Sequence, residues 1–267
     1  MLYYSNAKIN LGLNVVEKRQ DGFHNIETIF YPINVKDAIE FIPTKTTSLQ
    51  STGIKVNCDI NDNLIIKAYQ LLKTDFDLPT LSFHLHKNIP FGAGLGGGSA
   101  NAAFTLSHLN QFYKLNLTEK ELLKYATKLG SDCAFFIKNQ ALFACEKGDI
   151  FKKCNVDLSR YYILLIHPGF GVSTPDAYEN IIPRTSEKNV TEIINQPITS
   201  WRKDLKNDFE DTIFIKYPQL KLIKEKLYQN GALYASMSGS GSSLFGIFDE
   251  KPDVTNFKSY WNWSAKL

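Results

Sequence analysis

The chain has 267 residues, a length that fits two domains of roughly 100–150 residues each. Its content of 43% hydrophobic and 13% aromatic residues excludes a disordered or fibrous protein. The 30 basic and 27 acidic residues are interspersed and leave a net charge of +3, so we expect no nucleic-acid partner.

The four cysteines and the apolar runs bear on the cellular compartment. The cysteines lack the paired short spacing of zinc sites and redox dithiols, so we expect reduced thiols. No stretch reaches the roughly 18 apolar residues of a membrane span, and the first residues do not resemble a signal peptide. We therefore expect a cytoplasmic protein with no membrane association, and we infer no obligate protein partner.

The first predicted element is a half-buried strand. Residues 9–15 alternate between apolar and other side chains, which is the period of a strand and places Lys8 and Asn10 on one face. Further strands are predicted at residues 38–42, 54–57 and 81–87. A helix is predicted over residues 64–72, with Asp62 as its cap.

A glycine-rich turn follows, in the segment PFGAGLGGGSANAA. It predicts a strand, a glycine loop and a helix that Ser99 could cap. Bare backbone N–H groups at a helix start favour an anion such as phosphate. The run also matches a dinucleotide-binding fingerprint, but its context is not a βαβ unit, and no Gly-Lys-Ser/Thr of a Walker loop follows. A glycine turn without a ligand stays the alternative.

A second helix is predicted from the capping box of Thr118 and Glu121 to a left-handed cap at Gly130. Asp132 then lies just past a helix end. From the residues alone, Asp132 is either a helix cap or a functional carboxylate. Likewise, Lys8 is either a functional cation or a solvated charge at a strand edge.

The chain is predicted to leave its first lobe near residue 155, which gives domains 1–155 and 156–267. In the second domain we predict a buried strand at residues 161–168 and a helix that begins with Thr174 as cap and Pro175. A helix over residues 218–229 and a strand, loop and strand complete the prediction. His84 and His86 share a strand face and could bind a metal, but a solvated face is favoured because no third ligand is near.

Three segments carry a resemblance to a known family. PFGAGLGGGSANAA resembles the ATP-phosphate loop of the GHMP kinases, and SMSGSGSSLFGIF resembles their third motif. AKINLGLNVVEKRQDGFH resembles the first motif of one branch, which acts on a cytidine diphosphate derivative of methylerythritol. The three glycines before Ser99 are typical of that branch. The order and spacing of the segments cover nearly the whole chain.

The resemblance implies an α/β (α+β) two-lobed GHMP kinase fold, with a ribosomal S5 domain 2-like N-terminal lobe and a ferredoxin-like C-terminal lobe. The implied reaction phosphorylates the 2-hydroxyl of the cytidine diphosphate substrate with ATP, a step of non-mevalonate isoprenoid precursor synthesis. Mg2+ is expected to be carried with ATP, without a named protein ligand. The alternatives are a GHMP kinase for another small alcohol and a ligand sensor without catalysis.

The resemblance also implies site residues. LGSDCAFF resembles the family segment whose aspartate is the catalytic base, so Asp132 is the implied base and Lys8 its cationic partner. In this chain Ser131, Cys133 and Ala134 replace the usual neighbours of that aspartate. The implied ATP-binding residues are Pro90, Phe91, Gly92, Ala93, Gly94, Leu95, Gly96, Gly97, Gly98, Ser99, Asn63, Leu64, Ile65 and Lys87. The implied substrate-binding residues are Asn10, Phe23, His24, Thr174, Tyr178, Gly239, Ser240 and Gly241, with Phe23 and Tyr178 stacking on cytosine.

Overall fold

The computed structural model describes residues 1–56, 58–185 and 188–267. They form two compact units, each built from separate parts of the sequence. The first unit contains Met1–Ala7, Val35–Phe91 and Gly96–Gln140, and the second contains Lys8–Asn34, Gly92–Leu95 and Ala141–Leu267. Strands β1 (Leu2–Lys18) and β2 (His24–Pro43) contribute residues to both units. The domain division at residue 155 stays a prediction.

The predicted first strand is present and longer than expected. In β1, Ile9, Leu11 and Leu13 are buried, as the alternation predicts. The intervening Lys8 and Asn10 are buried as well, at 4% and 2% exposure, so the expectation of a half-buried strand was wrong. Buried polar groups need hydrogen-bond partners, so these side chains have structural neighbours rather than solvent.

The first unit packs helices against a sheet. Residues 38–43 of β2 pair antiparallel with β4 (Leu81–Lys87), and β3 (Ser48–Gly53) pairs parallel with β4. The helices are α1 (Leu64–Asp75), α2 (Gly97–Phe112), α3 (Glu119–Leu129) and α4 (Ser131–Lys138), with a 3-10 turn at Ile60–Asp62. Aromatic side chains of the sheet and of α1 fill the core between these layers, among them Phe41, Phe83 and Tyr69.

Two predictions in the first unit need correction. The strand expected at residues 54–57 is absent at residues 54–56, because the edge strand β3 already ends at Gly53, and Asn57 lies outside the described residues. Asp62 does not cap α1; the side chain of Asn63 accepts a hydrogen bond from the Ile65 amide at 3.0 Å and does so instead. The strand at residues 81–87 and the capping box of Thr118 and Glu121 are confirmed.

The second unit contains two groups of strands. Residues 28–30 of β2 pair with β5 (Leu142–Cys145), which pairs with β6 (Ile150–Lys153). A separate antiparallel sheet has the order β10-β7-β9-β8, made of β7 (Tyr162–His167), β8 (Tyr234–Met237), β9 (Leu244–Phe248) and β10 (Trp261–Lys266). This is the order expected of a ferredoxin-like lobe.

The helices of the second unit are α5 (Thr174–Tyr178), α6 (Val190–Ile194), α7 (Ile198–Asp204), α8 (Phe209–Lys216) and α9 (Pro218–Gln229), with a 3-10 turn at Thr255–Phe257. Strands β7 and β9 are buried apolar runs at the two central positions of the sheet, which explains why the sequence predicts them well. The predicted helix over residues 218–229 is confirmed. In the part of the chain that the structure describes, none of the helices has the length and apolar character that crossing a bilayer requires.

Candidate active site

The glycine loop changes direction through left-handed backbone. Gly92, Gly94 and Gly96 have φ values of 64°, 74° and 68°, a region that other residues rarely adopt. The loop leads into α2, whose N-cap position is Gly96, without a side-chain cap. The prediction that Ser99 caps this helix was wrong, because Ser99 already lies inside its first turn. The uncapped amides of that turn, together with the helix dipole, suit a phosphate group.

The carbonyl groups of residues 93–95 form hydrogen bonds within the second unit, to which these residues belong. The oxygens of residues 93, 94 and 95 accept hydrogen bonds from the Ser243 amide at 3.1 Å, the Ser238 hydroxyl at 2.8 Å and the Lys8 amide at 3.0 Å. A free carbonyl oxygen would repel an anion because it carries a partial negative charge. In this loop, three such oxygens instead accept hydrogen bonds from protein donors. The loop is thereby prepared for a negatively charged ligand.

Asp37 anchors the chain on both sides of the loop in the first unit. Its buried carboxylate accepts hydrogen bonds from the backbone amides of Asn88 and Ile89, both at 2.8 Å, and from Asn101 Nδ2 at 2.9 Å. It also pairs with the ammonium group of Lys87. Because Asn88 and Ile89 follow β4 and Asn101 lies in α2, one carboxylate connects the strand before the loop to the helix after it.

Lys87 lies directly behind the start of α2. Its Nζ is 2.9 Å from the point that a Cβ on Gly97 would occupy, so only glycine fits there without displacing the ammonium group. Burial lowers the pKa of Lys87, and the Asp37 carboxylate opposes this change. The structure thus gives Lys87 a supporting position against the loop, and its direct contact with ATP stays a prediction.

The implied ATP-binding residues 63–65 lie near the same helix. Leu64 Cδ1 is 3.7 Å from the point that a Cβ on Gly98 would occupy. Asn63 caps α1 and Ile65 is fully buried in the core of the first unit. Of the residues at the loop entrance, Pro90 is buried and Phe91 is 63% exposed.

Asp132 lies just past the end of α3, as predicted, and it occupies the first turn of α4. Gly130, between α3 and α4, has extended backbone with φ 159° and ψ 157°, so the expected left-handed cap was wrong. The Asp132 side chain is half-buried. A carboxylate in this position is stabilised as an anion by the N-terminal end of the helix dipole.

The Cys133 thiol connects α4 to the helix of the glycine loop. Burial raises the pKa of Cys133 to about 12; a hydrogen bond with Ser99 lowers it and the Asp132 carboxylate raises it further. Ser99 and Asp132 therefore both lie near one buried thiol within the first unit. The unreactive thiol is a packing element and not a nucleophile.

Lys8, Asn10 and Gly239 come together in the second unit. Lys8 Nζ donates to Asn10 Oδ1 at 2.6 Å and lies 4.9 Å from the centre of the Phe30 ring. A Cβ on Gly239 would be 3.2 Å from Asn10 Oδ1 and 3.5 Å from Lys8 Nζ. The first and third sequence motifs thus meet at a largely buried ammonium group.

The two aromatic residues that are implied to stack on cytosine, Phe23 and Tyr178, each have a side-chain neighbour in this structure. The His24 ring stacks on Tyr178, with 4.7 Å between centroids and 18° between planes. Burial, and then Lys18, lower the pKa of His24. Phe23 is 60% exposed, with the Lys147 ammonium group 5.1 Å from its ring centre. One face of Tyr178 is therefore covered by imidazole in this structure.

Thr174 and Ser240 also lie together, with 3.4 Å between their hydroxyl oxygens. The prediction that Thr174 caps α5 was wrong, because the cap is Ser173, whose hydroxyl accepts a hydrogen bond from the Asp176 amide at 3.2 Å. The binding roles of Thr174, Ser240 and Gly241 stay predictions.

The histidine pair on β4 has a shared hydrogen-bond partner. The Thr52 hydroxyl is 3.1 Å from His84 Nε2 and 3.0 Å from His86 Nδ1. Across residues 1–56, 58–185 and 188–267, no group of three or more His, Cys, Asp or Glu side chains is placed to hold a metal ion.

Sequence reasoning missed the anchors Asp37 and Asn101. Asn101 stands among small and apolar residues, and that contrast was the available signal, whereas Asp37 follows Lys36 and gives no such signal. Their partners are far apart in sequence, so their role becomes visible only in the folded chain.

The comparisons with known proteins agree with one another. Residues 63–140 match the family model described as GHMP kinases N terminal domain, and residues 189–264 match GHMP kinases C terminal. Proteins named 4-diphosphocytidyl-2-C-methyl-D-erythritol kinase are 50% identical in Parabacteroides distasonis, over 97% of this chain and 94% of that protein, and 50% identical in Cytophaga hutchinsonii, over 95% and 94%.

Solved structures give the same assignment at the level of the fold. A crystal structure of 4-(cytidine 5'-diphospho)-2C-methyl-D-erythritol kinase is similar with a TM-score of 0.84 and 28% identity, covering 99% of this chain and 98% of that one. Methanococcus jannaschii mevalonate kinase has a TM-score of 0.73 at 14% identity, covering 100% and 98%, and shows the fold alone. The two family matches and the full-length relatives together show that this chain belongs to the GHMP kinase family.

Proposed function

We propose that this chain transfers the γ-phosphoryl group of ATP to the 2-hydroxyl of 4-diphosphocytidyl-2-C-methyl-D-erythritol. The observation that carries this proposal is the 50% identity over 97% of the chain with a relative of that name. The glycine loop supports it, because its uncapped helix start and engaged carbonyl groups suit a polyphosphate.

In the proposed mechanism, the protein supplies position and charge with little covalent chemistry. Asp132 accepts the proton of the 2-hydroxyl as that oxygen attacks the γ-phosphorus, and the bond from this phosphorus to the bridging oxygen of the β-phosphate breaks, so that ADP leaves. Lys8, buried and held by Asn10, stabilises the negative charge of the transferring group. A cation with little access to water interacts more strongly with that charge than a solvated one does.

Mg2+ would be carried by ATP and would neutralise part of the phosphate charge. In sites of this kind it keeps several waters and takes one or two carboxylate ligands besides the phosphates, so a cluster of protein ligands is not required. The hydroxyl of Ser99 and the carboxylate of Asp132, both near Cys133, would be suitable oxygen ligands for such an ion.

For the acceptor, the rings of Phe23 and Tyr178 would stack on the cytosine base. The His24 ring now lies on Tyr178, so a base that uses that face must replace it. Thr174, Ser240 and the neighbouring glycines would then lie beside the diphosphate group.

The test incubates the purified protein with Mg-ATP and the cytidine diphosphate substrate and follows ADP release and the mass of the product. Asp132→Asn should reduce turnover by about a hundredfold or more, as expected for removal of a general base. Asp62→Asn, at an exposed carboxylate of the same unit, is the matched control. A folded wild type that binds ATP without turning over this substrate would overturn the assignment and point to another alcohol or to a sensor.

A further inference from the structure

Residues 207–210, which lead from the loop after α7 into the first turn of α8, contain three buried polar side chains. Asn207, Asp208 and Glu210 are only 2%, 7% and 8% exposed. Burying polar or charged groups is unfavourable unless each is hydrogen-bonded. Their hydrogen bonds therefore indicate what this segment does.

The Asn207 amide fixes the chain after β8. Its Nδ2 donates to the carbonyl oxygens of Met237 and Gly239, both at 2.8 Å, and its Oδ1 accepts from the Phe209 amide at 3.1 Å. Both hydrogens of the amide group are used, so the side chain has a single orientation. Without these donors, the Gly239 carbonyl would lose its hydrogen bond, whereas the Met237 carbonyl would still accept from the Ser236 hydroxyl at 3.2 Å.

Glu210 binds Met237 through its backbone amide. Its Oε1 accepts a hydrogen bond from the Met237 amide at 2.8 Å, and Lys224 pairs with its second oxygen. Both backbone groups of Met237 thus bond to side chains of one short segment. The end of β8 is fixed before the chain enters the third motif.

The segment is also joined to β1. The Leu13 amide donates to the Lys206 carbonyl at 2.8 Å, and the Asp208 amide donates to the Leu13 carbonyl at 2.8 Å. A carboxylate oxygen of Asp208 accepts from the Val15 amide at 2.8 Å. Asn207 is therefore placed between the strand that carries Lys8 and the loop that contains Gly239.

The loop fixed in this way contacts the proposed catalytic and phosphate-binding groups. A Cβ on Gly239 would lie 3.5 Å from Lys8 Nζ. The preceding Ser238 accepts from the Asn10 amide at 3.3 Å and donates to the Gly94 carbonyl at 2.8 Å. A displacement of residues 238–239 would therefore be transmitted to Lys8, Asn10 and the glycine loop.

We propose that Asn207 is a positioning residue for phosphoryl transfer, acting through Gly239 and Ser238 on Lys8 and the glycine loop. This inference rests on the proposed function and adds a residue outside the three sequence motifs. Small displacements of catalytic groups reduce rates strongly, so the effect should appear in turnover.

The test compares Asn207→Asp with wild type in turnover of Mg-ATP and the cytidine diphosphate substrate. The aspartate keeps the size but removes both donors and places a carboxylate against two carbonyl oxygens. Per folded molecule, as measured by circular dichroism, kcat should fall about tenfold or more. Asn207→Ser, which keeps one donor and adds no charge, is the second variant if the aspartate prevents folding.

The matched control is Asn195→Asp. In the wild type, the Asn195 amide also donates to a backbone carbonyl, that of Thr191 at 2.8 Å, but Asn195 lies on the surface. This substitution should leave kcat unchanged. A folded Asn207 variant with kcat within about twofold of wild type overturns the inference, since a purely structural role lowers thermal stability and not the turnover of folded molecules. If wild type itself does not turn over, the proposed function fails, and the dissociation constant of Mg-ATP decides. A rise of about fivefold in the variant supports the inference, and no change overturns it.

Discussion

The carboxylate of Asp37 and the ammonium group of Lys87 form an ion pair with side-chain exposures of 0% and 2%. Water is excluded from both partners, so each charge depends on the other. The pair lies behind Gly97, and the same carboxylate holds Asn101 in α2. This ion pair therefore links the stability of the first unit to the position of the glycine loop.

Asp37→Asn should lower the free energy of unfolding by about 3–5 kcal/mol, because it leaves the Lys87 ammonium buried without a counter-charge. Urea denaturation without ligand measures the change. Asp62→Asn is the control, since it breaks the exposed pair of Asp62 and Lys67, at 3.1 Å, and should cost less than about 1 kcal/mol.

Adding Lys87→Met to Asp37→Asn should recover part of the loss by removing the unpaired charge. If Asp37→Asn costs as little stability as the control Asp62→Asn, the buried pair does not hold the loop in the way described. If the double variant is less stable than Asp37→Asn alone, the buried charge is not the source of the loss.

Gly94→Ala should weaken Mg-ATP binding by about tenfold or more. The added Cβ would overlap the Ser238 carbonyl oxygen and lie 3.1 Å from the Gly241 carbonyl oxygen, so the loop must move. A residue with a Cβ in left-handed backbone also carries about 1–2 kcal/mol of strain, whatever space surrounds it. Isothermal titration with Mg-ATP measures the affinity.

Gly231→Ala is the control that separates the effect of backbone strain from the effect of moving the glycine loop. Gly231 has φ 93° and open space around its Cβ position, so the substitution should reduce stability and leave ATP affinity unchanged. Equal ATP affinities for the two variants would contradict the proposed role of the loop.

Tyr178→Leu should raise the KM for the cytidine diphosphate substrate by about 10–100-fold and leave the KM for ATP unchanged. The reason is that stacking on an aromatic ring contributes about 1–3 kcal/mol per base. Tyr178→Phe keeps the ring and should have a much smaller effect. Steady-state kinetics with each substrate varied in turn measures both constants, and an equal rise in both would argue against a base-stacking role.

The parts of the fold that the sequence predicts well are those determined by neighbouring residues. Strand β4 has the predicted bounds because Leu81, Phe83 and Leu85 alternate with polar residues and are buried. The capping box at Thr118 forms because donor and acceptor are three residues apart. Local patterns of this kind require no knowledge of the rest of the chain.

The errors arise where distant residues determine the environment. Lys8 and Asn10 look like the solvent face of a strand, yet both are buried, and Asn10 Nδ2 donates to the Thr28 hydroxyl at 3.0 Å. Asn207 and Glu210 look like a polar helix start, but their partners are near residue 237. The motifs suggested the residues of the candidate site, whereas the groups that hold those residues depend on contacts between residues outside one local segment.

We expect the free energy of unfolding to be lower at acidic pH. His167 is 8% exposed, and its Nδ1 is 3.4 Å from the hydroxyl oxygens of both Ser242 and Ser243, next to the third motif. Burial lowers the pKa of His167 below its ordinary value of 6.5, and burial also lowers the pKa of His24 and His108.

A depressed pKa in the folded state means that the unfolded chain takes up its proton first as the pH falls. The stabilisation is therefore complete well above pH 6.5 and is lost as the pH falls below it, at up to about 1.4 kcal/mol per pH unit for His167. Urea denaturation at pH 7.5 and 5.5 should show a lower free energy of unfolding at the acidic pH. His167→Gln should reduce the difference, whereas His86→Gln, at an exposed position, should not. A difference that His167→Gln leaves intact would mean that other groups cause the loss, since a glutamine at this buried position cannot take up a proton in either state.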